Sequence, residues 1–178
     1  MKDKEINLKN EIRTIPHFPK KGIMFRDITT LLKNPDAMKQ VTKIFTDRYK
    51  NKGINKVVGV ESRGFIFGAI IAHEIHAGFI PARKPGKLPA KTTKVEYELE
   101  YGKDALEIHN DAIEKGDKVL IVDDLCATGG TLKATAELVE KLGGKIEEIA
   151  YVIDLPELKG KEKLKNYKTF NLIEFEGE

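Results

Sequence analysis

The stretch VLIVDDLCATGGT, Val119 to Thr131, joins an unbroken apolar run, two adjacent acids and a loop of small residues. VLIV fits a central strand covered on both faces, and the change to Asp-Asp marks where the chain emerges at the strand's carboxyl end. Ligands of open α/β sheets collect there. Ala127, Thr128, Gly129, Gly130 and Thr131 are small enough for successive backbone N–H groups to turn toward an anion, and a helix beginning near Gly130 adds its unpaired N–H groups and positive dipole end. The hydroxyls of Thr128 and Thr131 can donate as well. Asp123 and Asp124 would repel a phosphate, so their partners are sugar hydroxyls or a divalent cation. An Asp pair alone reads better as a solvated strand end; the whole string points instead to a phosphorylated sugar. No Gly-Lys-Ser/Thr ending and no GxGxxG spacing is present, which excludes a Walker loop and a dinucleotide fingerprint.

Outward from this stretch, strand and helix patterns alternate. KVVGVE (56–61) is a second buried strand, followed by the turn Ser62-Arg63-Gly64, the helix AIIAHEIHAG and the strand GFIPAR. Asn34 before Pro35 is an N-cap with proline at the first helical position, predicting a helix to about Lys52 that Gly53 ends. Residues 3–14 show a loose helical period. From Lys84 to Asp104, two prolines, two glycines and many charges match no element, which predicts a long mobile loop. The helix GTLKATAELVEKLGG and the strand EEIAYVID complete a βαβ unit with parallel strands and a right-handed crossover; FNLIEF is a last strand. Without a repeat, low-complexity tract or linker, residues 1–178 read as one α/β domain.

Composition sets the outer limits. The 178 residues suffice for one domain with a sizeable core, and 40% hydrophobic with 33% charged is ordinary for a soluble globular chain. A net charge of +3 from 31 basic and 28 acidic residues is too balanced for a dedicated nucleic-acid binder. No apolar stretch approaches a membrane span, and the start MKDKEINLKNEI lacks the apolar core of a signal peptide. The single cysteine cannot form an internal disulfide, which agrees with a cytoplasmic location.

The string from Val119 to Thr131 resembles the phosphoribosyl pyrophosphate (PRPP) motif of the type I phosphoribosyltransferases. FPKKGIMFRDITTLL (Phe18 to Leu32), VGVESRGFIFG (Val58 to Gly68), RKPGKLP (Arg83 to Pro89) and LEYGKDALEIH (Leu99 to His109) resemble the adenine phosphoribosyltransferases, in the same order and over nearly the whole chain. The resemblance implies a central, mostly parallel sheet flanked by helices, with a flexible catalytic loop at 84–104 and a small base-binding hood. It also implies the reaction of adenine with PRPP to give AMP and pyrophosphate, as in purine salvage. Magnesium would be held mainly by PRPP oxygens, with no direct protein ligand, and a homodimer is expected. Asp123 and Asp124 would face the ribose, and Ala127 through Thr131 the phosphate. Ser62, Arg63 and Gly64, with a cis peptide between Glu61 and Ser62, would meet pyrophosphate together with Arg83, Lys84 and Lys87.

Several of these positions have a plainer reading beside the functional one. Glu100 is the acid/base candidate for the N7 proton of adenine, although Glu96, Glu98 and Glu100 are indistinguishable without the resemblance. Phe25 would stack on the base while the backbone of Met24 and Arg26 reads its edge; otherwise Phe25 is a core residue. Leu155 would cover the other face of adenine, or simply end a strand. Lys84 and Lys87 are as well explained by a solvated charge run. Cys126 lies just before a phosphate-binding turn, which favours an oxidisable thiolate, whereas a free cysteine in an apolar position is an inert small hydrophobe. His73 and His76 lack any metal-site spacing. A transferase for another base and a PRPP-sensing regulator are the rival functions, the second lacking room for an added nucleic-acid-binding domain.

Overall fold

The computed structural model describes residues 5–99 and 102–177. A 3₁₀ turn, Leu8–Glu11, leads into β1 (Arg13–Pro16) and β2 (Met24–Asp27), an antiparallel pair that forms a small hood. Then follow α1 (Thr29–Leu32), α2 (Pro35–Tyr49), β3 (Lys56–Val60), α3 (Gly64–Glu74) and β4 (Gly78–Ala82). The second half contains β5 (Thr92–Leu99), β6 (Gly102–His109), β7 (Lys118–Cys126), α4 (Gly130–Lys141), β8 (Lys145–Asp154), α5 (Gly160–Lys163) and β9 (Thr169–Glu174). Asn34 caps α2 as its side chain accepts from the N–H groups of Asp36 and Ala37, and Pro35 fills the first turn.

The central sheet has five parallel strands in the order β4-β3-β7-β8-β9. Alternation along the strands sends side chains to two cores. On one face Val57, Leu120, Val122 and Val152 meet Val41, Phe45, Phe67 and Ile71 from α2 and α3. On the other, Val58, Ile121, Ile149 and Tyr151 meet Leu132, Leu138 and Val139 of α4 and Leu106 and Ile108 of β6. This double burial is why VLIV is a continuous apolar run. The chain leaves β3 toward β4 on one side and returns to β7 on the other, so a crevice opens beyond the carboxyl ends of β3 and β7. No helix among the described residues is long and apolar enough to cross a membrane.

Two sequence expectations differ from the fold. The stretch 84–104, expected to hold no element, contains β5 and the start of β6, a regular hairpin pairing from Thr92↔His109 to Leu99↔Gly102. Its charged residues hid the alternation: Val95, Ala105, Leu106 and Ile108 are buried, while Lys94, Glu96 and Lys103 face outward or lie at the surface. Nor is 3–14 one helix, because Ile12 is already extended and Arg13 to Pro16 pair with the hood.

Candidate active site

Asp123 and Asp124 lie near the carboxyl end of β7, and the loop that follows wraps a cavity of about 240 Å³ lined by Glu61 to Arg63 and Asp123 to Leu132. The peptide between Glu61 and Ser62 is cis. Gly64 is required by a close approach: a Cβ there would stand 2.7 Å from the Val122 carbonyl oxygen and 2.9 Å from Asp123 Oδ1. Gly129 has φ +73° and turns the chain into α4, whose first N–H groups receive no side-chain cap. They stand free to bind an anion.

The two acids are 8% and 3% exposed. Asp123 Oδ1 accepts the Asp124 N–H at 2.8 Å, and Arg63 Nε lies 2.9 Å from Asp124 Oδ2 without hydrogen-bond alignment. Burial, then the charge of Asp124, drives the Asp123 carboxyl well above the ordinary carboxylate range. Burial also raises Asp124, and the Arg63 guanidinium pulls it partly back. Such a pair is short of donors, and a vicinal diol supplies two.

A second cavity, of about 260 Å³, lies under the hood and is lined by Met24, Arg26, Leu155, Glu157, Phe175 and Gly177 among others. Ala127 and Thr128 line both cavities, so the two meet at the PRPP-type loop. Phe25, expected to stack on a base, is absent from this lining. Strand alternation sends its ring to the other face of β2, edge-on to Phe18 at 5.1 Å and 5.5 Å from the guanidinium of Arg63, which lines the first cavity. Arg26 Nη1 donates to Thr14 Oγ1 at 2.6 Å and Nη2 to the Gly177 carbonyl at 2.6 Å, while its buried Nε has no hydrogen-bond partner among the described residues.

Arg83, Lys84 and Lys87 gather beside the first cavity without lining it. Glu61 holds them: its carboxylate accepts from Arg83 Nε at 3.2 Å, Arg83 Nη2 at 3.0 Å and the Lys84 N–H at 3.0 Å, with Lys87 Nζ at 3.9 Å. The Arg83 hydrogen bonds keep Glu61 below the usual carboxylate range. Lys84 Nζ also pairs with Asp104. Glu100 lies outside the described residues. The strand β5 packs on the start of α4, where Tyr97 OH is 3.4 Å from Thr131 Oγ1.

The model of the phosphoribosyl transferase domain family matches residues 27–178. Curated relatives named adenine phosphoribosyltransferase include that of Desulfosudis oleivorans, 57% identical over 97% of this chain and 100% of its own length, and that of Shewanella pealeana, 56% identical over 96% and 94%. This chain belongs to the adenine phosphoribosyltransferase family. Among solved structures, adenine phosphoribosyltransferase from Thermoanaerobacter pseudethanolicus superposes with a TM-score of 0.91 at 49% identity, covering 94% of this chain and 98% of that one. The Saccharomyces cerevisiae enzyme, solved with an imino-altritol bisphosphate and adenine, gives 0.89 at 41% identity over 93% and 96%.

Within this adenine phosphoribosyltransferase fold, three site features carried no motif. Gly160 lies directly beneath the phosphate loop, where a Cβ would come 2.2 Å from the Ala127 carbonyl oxygen and 2.8 Å from Cys126 Sγ. Lys161 pins that contact, with Nζ 3.0 Å from buried Asp154 and 3.2 Å from Glu174. Glu61 organises the basic cluster; an acid ending KVVGVE gave no sign of that role. For Cys126 the structure selects the inert reading: the thiol is 1% exposed, and burial, with Asp154 nearby, pushes its pKa up to about 12.

Proposed function

We propose that this chain transfers the 5-phosphoribosyl group of PRPP to adenine, giving AMP and pyrophosphate. The observation that carries this reading is the junction of the two cavities at Ala127 and Thr128. One cavity is lined by carboxylates, loop N–H groups and Arg63, suited to a sugar phosphate. The other is walled by Met24, Leu155 and Phe175, suited to a flat base. A bond formed between occupants of the two would form at their junction.

Breaking the bond from the anomeric carbon to pyrophosphate builds positive charge on the ribose and negative charge on the leaving group. In this reading the acceptor pair Asp123 and Asp124 grips the ribose hydroxyls, and the loop from Ala127 to Thr131 with the start of α4 holds the 5′-phosphate. Arg63 and the backbone of Ser62 and Gly64 face the pyrophosphate, with Arg83, Lys84 and Lys87 adding positive charge at the rim. Backbone groups of Met24 and Arg26 read the adenine edge while Leu155 covers a face. Phe25, its ring 5.5 Å from the Arg63 guanidinium, stacks on the base from the hood. The hairpin of β5 and β6, next to the start of α4, delivers Glu100 to exchange the adenine N7 proton. Magnesium fits this donor set: Asp123 and Asp124 are buried carboxylates with Arg63 as a nearby cation, Nε 2.9 Å from Asp124 Oδ2, so an ion carried on PRPP oxygens would find acceptor oxygens nearby through water. Bound there, it would neutralise the leaving pyrophosphate.

A homodimer belongs to the same reading. Helix α3 is apolar on nearly every side and leaves Ile66 38% and Ile70 36% exposed, a face suited to a second copy. Cytoplasmic placement is supported by the free Cys126 thiol. The test of the activity is product formation from PRPP and magnesium with adenine, hypoxanthine, guanine, xanthine or orotate. AMP and pyrophosphate should form in equal amounts from adenine, with the other bases at least about 10²-fold slower, the order a hydrogen-bonding site achieves. Faster turnover of another base would reassign the substrate.

A further inference from the structure

One wall of the base cavity comes from residues beyond β9, and they are held by two side chains that no motif marks. After Glu174 the chain stays beside β8, the Phe175 N–H donating to the Asp154 carbonyl at 3.1 Å. It then turns inward at Gly177, whose φ of +82° a side chain would resist. The turn presents both main-chain groups of Gly177 to partners. Its N–H donates to Glu157 Oε1 at 2.9 Å, and its carbonyl accepts from Arg26 Nη2 at 2.6 Å. Arg26 is only 7% exposed, and its guanidinium also lies 4.5 Å from the Phe175 ring. Glu157, Gly177, Phe175 and Arg26 all line the cavity.

This arrangement resolves an oddity of charge. A permanent cation gains little from a neutral base, yet Arg26 sits at the base cavity. Its Nη1 and Nη2 are bound instead to Thr14 Oγ1 and to main-chain carbonyls, while its buried Nε has no hydrogen-bond partner among the described residues. Through those bonds it ties the hood to segment 175–177, and Glu157 ties the same segment to the end of β8. We propose that Glu157, Gly177 and Arg26 form a clasp that closes the base cavity with segment 175–177 and thereby sets the affinity for the base. Glu157 and Gly177 are positioning residues: they hold Phe175 as a dry wall, and opening the clasp lets water replace it. The sugar-phosphate cavity, lined by neither residue, is untouched by that opening.

The proposal rests on adenine as occupant of this cavity, and its test separates the two. Kinetic constants for adenine and PRPP, with melting temperatures, are measured for Gly177→Pro, Glu157→Ala, Glu157→Gln and the double variant Gly177→Pro with Glu157→Ala. Proline lacks the N–H and cannot take the positive φ. The expected result is an adenine KM raised about tenfold in Gly177→Pro and about three- to tenfold in Glu157→Ala, the scale of one hydrogen bond and the wall it holds. PRPP KM and kcat at saturating adenine should stay within about twofold, the mark of lost ground-state binding. Glu157→Gln, which keeps an acceptor oxygen, should restore the adenine KM. The double variant should be no worse than Gly177→Pro, because both changes break one bond. An unchanged adenine KM in Gly177→Pro, equal rises in both KM values, or multiplying effects in the double variant would overturn the clasp. Wild-type protein that makes no AMP would instead overturn the reading of the cavity.

Discussion

The two cavities that meet at Ala127 and Thr128 are built in opposite ways. The sugar-phosphate cavity takes most of its lining from ten consecutive residues, Asp123 to Leu132, with one further contribution from the end of β3. The base cavity is assembled from segments around 22–26, 155–158 and 175–177, which lie far apart along the chain. A site of the first kind is set by local backbone geometry: a strand end, a positive-φ glycine and an uncapped helix start. A site of the second kind exists only if tertiary contacts bring its walls together. The first should therefore fail abruptly on single chemical changes, and the second should loosen by degrees.

The largest effect should come from the acids. Asp123→Asn with Asp124→Asn leaves the shape of the strand end but replaces acceptor-only carboxylates by amides that present donors to ribose hydroxyls. Turnover should fall by about 10⁴ or more, with PRPP affinity reduced and the melting temperature not lowered, since two buried carboxylates are relieved of desolvation. Unchanged PRPP affinity in a calorimetric titration would remove the pair from the sugar site. Next in size, Glu100→Leu should lower kcat by about 10² to 10⁴ with a smaller change in PRPP KM, the scale of a positioned acid or base. Near wild-type kcat would exclude Glu100 from the chemistry.

These contrasts follow what the sequence could and could not show. VLIVDDLCATGGT was legible because a doubly buried strand, two acids and a turn lie in one line, and each has a local physical signature. Asn34-Pro35 was legible for the same reason. The hairpin of β5 and β6 was not: Pro85, Pro89 and the surface charges masked an alternation that only the core contacts of Leu106 and Ile108 make evident. In the base cavity, Met24, Arg26 and Leu155 came from family resemblance alone. Phe25 came from the same resemblance, and its ring lies on the face of β2 toward Arg63, which lines the other cavity. Glu157, Gly160 and Gly177 had no signal, because a glycine under a loop and an acid facing an N–H look like any surface turn until the partner segment is in place.

Gly160 offers a sharper cut between the two designs, because it underlies the loop from Ala127 to Thr131 while belonging to the segment that follows Leu155, which lines the cavity under the hood. Gly160→Ala forces a methyl group against the Ala127 carbonyl oxygen and Cys126 Sγ. Overpacking of this kind costs about 1–3 kcal/mol, and it should appear as a PRPP KM raised about tenfold with a smaller change for adenine. Equal changes for both substrates would show that the segment serves the two cavities alike. The smallest effect concerns Cys126. With its thiol buried and its pKa raised to about 12, alkylation of the native protein at pH 8 should be far slower than of the unfolded chain. Wild type and Cys126→Leu should lose activity to peroxide at the same rate, and a resistant Cys126→Leu would restore the redox reading.

Separate occupancy of the two cavities is put to the test by Leu155→Ala. Leu155 lines the base cavity and not the sugar-phosphate cavity, although its N–H donates to the Cys126 carbonyl at 3.1 Å, a bond alanine keeps. Losing the side chain removes apolar cover worth about 1.5–3 kcal/mol when fully buried, less at this half-buried position. With PRPP affinity measured by calorimetry and adenine KM by AMP formation, the account predicts an adenine KM raised about tenfold and a PRPP dissociation constant within about twofold of wild type. A PRPP dissociation constant that moves as far as the adenine KM would contradict it.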